Sequence, residues 1–213
     1  MSAQDVVPHT VTVTGSASVA AAPDIARITF ACQATAPDVQ AAIQASSDAV
    51  LAARAALATA GVAGKDAPSG RVSVNAQEVW ENNSPRITGY TAEHQVTATV
   101  RNVDAVGDVL AAVVAAAGNA MRLQGVNFGV EDVASVASAA RDRAFAHAHT
   151  VAAQYAAAAG RTLGAVIRIE EGEVHGPSPM PKARMMAMAA DTVPVEPGSA
   201  DVSAAVRVTW ELV

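Results

Sequence analysis

The sequence predicts an α+β protein: a largely antiparallel sheet with helices packed on one face. Two observations carry that reading. Several segments alternate apolar and polar residues with a period of two, and longer alanine-rich segments between them repeat apolar residues at helical spacing. Gly, Pro, Asn and Asp punctuate the borders. The order is β-β-α-β-β-α-β-α-β-β, and its middle portion, β-α-β-β-α-β, is compatible with a split βαβ unit.

The first strand covers residues 9–15, alternating valine with threonine and stopping at Gly15. After the Pro23-Asp24 turn, Ala26, Ile28, Phe30 and Cys32 share one face of a second strand. Pro37-Asp38 opens a helix to about Ala60, with Val39, Ile43, Val50 and Leu57 at helical spacing and Gly61 as its stop. Residues 71–80 form a strand with Val72, Val74 and Ala76 on one side, and Asn82-Asn83-Ser84-Pro85 supplies the turn into a long strand over 87–101. There Tyr90, Ala92, His94, Val96, Ala98 and Val100 alternate with polar residues, which predicts one buried and one wetter face.

A helix from about Val103 to Ala117 stops at Gly118-Asn119. The next strand, Met121 to Val130, slips its alternation at Gly125, where a bulge is expected. The longest helix runs from about Asp132, its cap, to Ala159, and ends at Gly160. Residues 163–175 and 201–213 are the last strands, the second with Val202, Ala204, Val206, Val208, Trp210 and Leu212 inward. Between them a Pro/Met-rich arm at about 176–198 reads as a long loop attached to a single domain spanning 1–213.

In order and spacing these pieces resemble the SIMPL domain family, named for a relative that interacts with a pelle-like kinase. The matching segments are Val11-Thr12-Val13-Thr14-Gly15, Pro23-Asp24-Ile25-Ala26, Ala60-Gly61-Val62, Ile87-Thr88-Gly89-Tyr90-Thr91-Ala92, Ala117-Gly118-Asn119 and Pro194-Val195-Glu196-Pro197-Gly198. The resemblance implies homo-oligomeric assembly, an exported or envelope bacterial protein, and a label of oxidative-stress defence. It implies no agreed catalytic residues.

Composition narrows the function classes. Of 213 residues, 51% are hydrophobic and 16% charged, so a packed core is expected, filled mainly by Val, Ile, Leu and Ala because only 3% are aromatic. The net charge of -6 argues against a nucleic-acid partner, which needs a basic footprint. No apolar run of membrane-spanning length occurs, so no membrane span is expected. One cysteine excludes an intramolecular disulfide and a multi-cysteine zinc site. That cysteine count, with no basic and apolar leader at the N-terminus, gives a cytoplasmic expectation. A removed leader would make the protein an envelope or secreted one.

Motifs for an enzyme are missing: there is no Gly-x-Ser-x-Gly elbow, no phosphate loop and no dinucleotide fingerprint. His147 and His149 lie two apart on a helix and point in nearly opposite directions, so they do not clasp one ion. His147 falls on the predicted core stripe with Val133, Val136, Ala140, Val151 and Tyr155. Phe145 projects off that stripe and is either a contact with a second subunit or packed beneath the arm of its own chain. Glu171, Glu173 and His175 would share a strand face, either as a cation site or as a solvated strand end.

In the arm, Met180, Met185, Met186 and Met188 offer three readings: soft ligands for Cu(I), adaptable packing against a neighbouring subunit, or a plain loop. His94 is expected to be a satisfied core histidine and Cys32 an inert buried thiol. Trp80 and Trp210 are expected to pack. The leading expectation is a non-enzymatic homo-oligomer without a cofactor, an assembly or binding scaffold, possessing Phe145 and the four arm methionines as contacts. The alternative is a Cu(I) or redox binder using the Met/His-rich arm.

Overall fold

A computed structural model describes residues 9–81, 83–172, 175–179 and 200–213. Among them are eight strands and three α-helices. β1 spans Thr10–Ala21, β2 Ile25–Ala36, β3 Ser69–Glu81, β4 Ser84–Val100, β5 Met121–Gly129, β6 Leu163–Glu171, β7 His175–Pro179 and β8 Ala200–Leu212. The helices are α1 (Val39–Thr59), α2 (Val106–Ala117) and α3 (Val133–Ala158). The strands form two four-stranded sheets and not one, every pairing antiparallel. The chain divides accordingly into two compact units, one with β1, α3, β6, β7 and β8, the other with β2 to β5, α1 and α2.

The second unit has strand order β3-β4-β2-β5. β2 and β3 are parallel to each other with β4 between them, and β4 and β5 flank β2 in the same way. The sheet is therefore two interleaved split βαβ units, the ferredoxin-like arrangement. The register between β2 and β5 jumps from Thr29 opposite Gly125 to Phe30 opposite Leu123, so the chain slips at the expected bulge. The Asp38 carboxylate accepts from the Ala41 N–H at 2.9 Å and caps α1, and Gly61 follows at φ 85°. The buried line of α1 is Ala42, Ser46, Val50, Ala53 and Leu57. Val50 and Leu57 match expectation. Val39 and Ile43 do not: they are exposed, and the small residues Ala42 and Ser46 take the buried line in that half of the helix. α2 buries Val106, Val109, Val113 and Ala117.

In the first unit the order is β1-β8-β6, with β7 also on β8. β1 does not stop at Gly15; it continues to Ala21, paired with β8 throughout. Gly15 is a point of close approach. A Cβ there would overlap the Ala144 carbonyl oxygen and lie 2.6 Å from the Ala148 nitrogen and 2.7 Å from the Ala148 Cβ. α3, capped by Asp132 on the Ser135 N–H, therefore rests its backbone almost on β1. The helix face that permits this is Ala137, Ala140, Ala144, Ala148, Ala152 and Ala156, all buried. Of the predicted stripe through Val133, Val136, Ala140, His147, Val151 and Tyr155, Ala140 alone lies in this buried line, and His147 and Tyr155 are exposed. β7 was expected as loop; its two prolines are tolerated in a short strand that joins the rim of the sheet.

Candidate functional site

The structure separates the residues that the sequence singled out. Phe145 does not project freely: it is half-buried, its ring centroid 6.1 Å from that of Trp210. Trp210 is 1% exposed and packs with Val13, Ala148, Ala152 and Val208. His149 meets the same indole edge-on at 6.2 Å. His147 is exposed, and its Nδ1 accepts the Ser16 backbone N–H at 3.2 Å, so it tethers β1 to α3. The two imidazoles thus have separate duties, as their helical spacing requires. Met180, Met185, Met186 and Met188 lie outside the described residues. Glu173 does also; Glu171 ends β6 and accepts from Arg141 Nε at 2.6 Å, and His175 begins a different strand.

Sheet pairing creates one constellation that no sequence spacing announces. Cys32 on β2 stands opposite His94 on β4 and opposite Met121 on β5. Directly paired residues share a face, so the thiol, imidazole and thioether form a row across the sheet. Cys32 is fully buried, and that burial pushes its thiol above the ordinary value. The expectation of a satisfied His94 does not hold among the described residues. Its Nε2 is buried and has no hydrogen-bond partner there, because its strand neighbours on that face, Val72 and Cys32, give it no strong acceptor. Sequence reasoning placed His94 and Cys32 on apolar faces but lacked the register that joins them.

The outer hairpin was also missed. β4 pairs with β2 only from Tyr90 onward, so Ser84 to Gly89 has β3 alone as a partner. The result is a two-stranded ribbon that is exposed from Ser84 to Thr88. Trp80, expected to pack, is 70% exposed, and Val79 and Ile87 are exposed with it. Asn83, at φ 61°, turns the chain at the tip, and Glu81 accepts from Arg86 Nη1 at 3.2 Å nearby. The available signal was strand length: β4 has 17 residues against 12 in β2.

A cavity of about 470 Å³ lies between α1 and α2. Its walls are chiefly Ala56, Ala60, Ala105, Val109 and Ala112, with Thr59 and Asp108 as the polar groups. A single carboxylate and one hydroxyl among alanines supply little for acid-base chemistry. Elsewhere in this unit Arg101 hydrogen-bonds Asp66 at 2.6 Å, which holds the Asp66 carboxyl below the usual carboxylate range.

The family model described as SIMPL, a protein of unknown function (DUF541), matches residues 11–210. The chain belongs to the SIMPL family. Two relatives called 26 kDa periplasmic immunogenic protein, from Brucella melitensis and Brucella abortus, are each 32% identical over 218 residues, covering 96% of this chain and 85% of theirs. Both names place those proteins in the periplasm, which overturns the cytoplasmic expectation. That expectation drew on a cysteine count and on where the given sequence begins, and neither decides a compartment. A lone buried cysteine is compatible with an oxidising compartment, since it has no second thiol to join.

Proposed function

We propose that this SIMPL-family chain is a periplasmic protein that works by self-association, as a non-enzymatic scaffold whose functional surface is completed by further copies. One observation carries the reading: the β3-β4 ribbon, which holds Trp80, Val79 and Ile87 in solvent on a two-stranded element. A two-stranded ribbon is marginal in water without a covering layer, and exposed aromatic and branched side chains at its end favour a protein contact. The half-buried Phe145 and the arm methionines Met180, Met185, Met186 and Met188 are further contacts in this proposal. Any link to stress defence rests on the family resemblance and would act through the assembled surface.

The test is extraction of the native protein by osmotic shock, followed by size-exclusion chromatography with light scattering. Release with the periplasmic fraction at a multiple of 21.4 kDa supports the proposal. Retention in the cytoplasmic fraction, or elution at single-chain mass, refutes it.

A second reading has its own observation, the Cys32-His94-Met121 row with its unpartnered Nε2. Thiolate, imidazole and thioether together suit Cu(I). Tight Cu(I) uptake that is lost in Cys32→Ser would favour it, and equal uptake by both proteins would remove it.

A further inference from the structure

We infer that the free edge of β3 pairs antiparallel with β3 of a second copy, about a two-fold axis through Ala76. This rests on the self-association reading and specifies where it happens. β3 ends the sheet order β3-β4-β2-β5, so among the described residues it has β4 on one side and no strand on the other. It is 13 residues long and exposed along most of its length. Natural edges of that length are guarded by charged side chains, proline or a covering element; β3 has no lysine or proline, and its charges are Arg71, Glu78 and Glu81. Its N–H and C=O groups on that side form a template for another strand.

The occupant is argued from the side chains of β3 itself. With Ala76 on the axis, Arg71 stands opposite the partner's Glu81 and Val72 opposite the partner's Trp80. Ser73 meets the partner's Val79, and Asn75 the partner's Gln77. Two-fold symmetry makes each pair occur twice. Both charge pairs are opposite in sign, and Val72 of each copy covers the partner's exposed Trp80; such cross-strand pairs are the favourable ones. Glu81 also accepts from Arg86 on its own hairpin and would lie between two guanidinium groups. Val74 opposite the partner's Glu78 and Ser73 opposite its Val79 are pairings without gain.

Neighbouring registers are worse. Sliding two residues one way sets Val72 against the partner's Glu78 and Arg71 against its Val79. Sliding two the other way sets Glu81 against the partner's Ser73 and leaves Arg71 without it. The charge pattern of β3 thus selects one register: the second slide still sets a valine, Val74, opposite the partner's Trp80, but it loses both Arg71–Glu81 pairs.

The experiment is disulfide trapping in the full chain. In Ala76→Cys the new thiol meets its own symmetry mate, at the roughly 4.5–5.5 Å Cα spacing of paired strands, inside the range that disulfides accept. Asn75→Cys is the control, since it faces the partner's Gln77. Both positions are exposed, so both variants keep the fold, and the native thiol Cys32 is fully buried and stays silent. Under mild oxidation Ala76→Cys should form covalent dimers at least tenfold faster than Asn75→Cys, and Val72→Asp added to it should abolish the trapping. Equal, slow trapping in a protein that light scattering finds multimeric overturns this interface and leaves self-association standing. Equal, slow trapping in a monomer overturns both.

Discussion

Gly15→Ala is the sharpest perturbation of the first unit. The added methyl would sit within 2.7 Å of the Ala148 Cβ and nearer still to the backbone of α3. No side-chain rotation relieves a clash with backbone, so β1 or α3 has to move. Overpacking of a close-packed core costs about 1–3 kcal/mol, and a backbone collision belongs at the upper end, about 3 kcal/mol. That corresponds to a change of about a hundredfold in the folded-to-unfolded ratio. Urea unfolding followed by Trp210 fluorescence reports it, because Trp210 is buried against the same helix. Both proteins should carry Trp80→Phe, which removes the exposed indole of the ribbon. With a slope of about 1–3 kcal/mol per molar urea, the midpoint should fall by about 1 M or more at fixed protein concentration. A midpoint within about 0.2 M of the parent, by the same slope, would refute the close approach of β1 to α3.

Three other outcomes follow from the same geometry. Gly107→Ala, in the first turn of α2 with open space around the new methyl, should stabilise by about 0.5–1 kcal/mol; denaturant titration would show the opposite sign if that space were filled. The Cys32 thiol should stay unreactive to an aromatic disulfide reagent at pH 8 and react fully once urea unfolds the chain; rapid labelling of the native protein would contradict its burial. Asp66 has a folded pKa below its unfolded value, so its pairing with Arg101 adds stability above the ordinary carboxylate range, lost as pH falls through the folded value. Acid unfolding of Arg101→Met should therefore show a shallower pH dependence than the parent, and identical acid transitions would remove the pair from the account.

Much of this fold was legible in the sequence, and the gaps have physical causes. Asp38, Asp132, Gly61 and Gly160 marked helix ends correctly, because capping and positive φ are local chemistry. The inward face of β8 was also readable, since its burial alternates along one strand. The buried face of α3 was not. Alanine occurs on every side of that helix and gives hydrophobic periodicity little contrast, and the deciding partner, Gly15, is more than a hundred residues away in sequence. Alternation likewise tells which face of a strand is buried but not which strands pair. Hence one sheet was expected where two formed, and the Cys32-His94-Met121 row became visible only with the register. Trp80 was misread because the excess length of β4 over β2, and not any residue type, decides which part of the hairpin lies beyond the sheet.

The central claim is self-association through the second unit. It is tested most directly by light scattering on the purified chain over a hundredfold range of concentration, beside Trp80→Ser. The account predicts a multiple of 21.4 kDa for the parent, persisting on dilution into the low micromolar range, and a shift toward single-chain mass in Trp80→Ser. A parent that stays at single-chain mass throughout would contradict it.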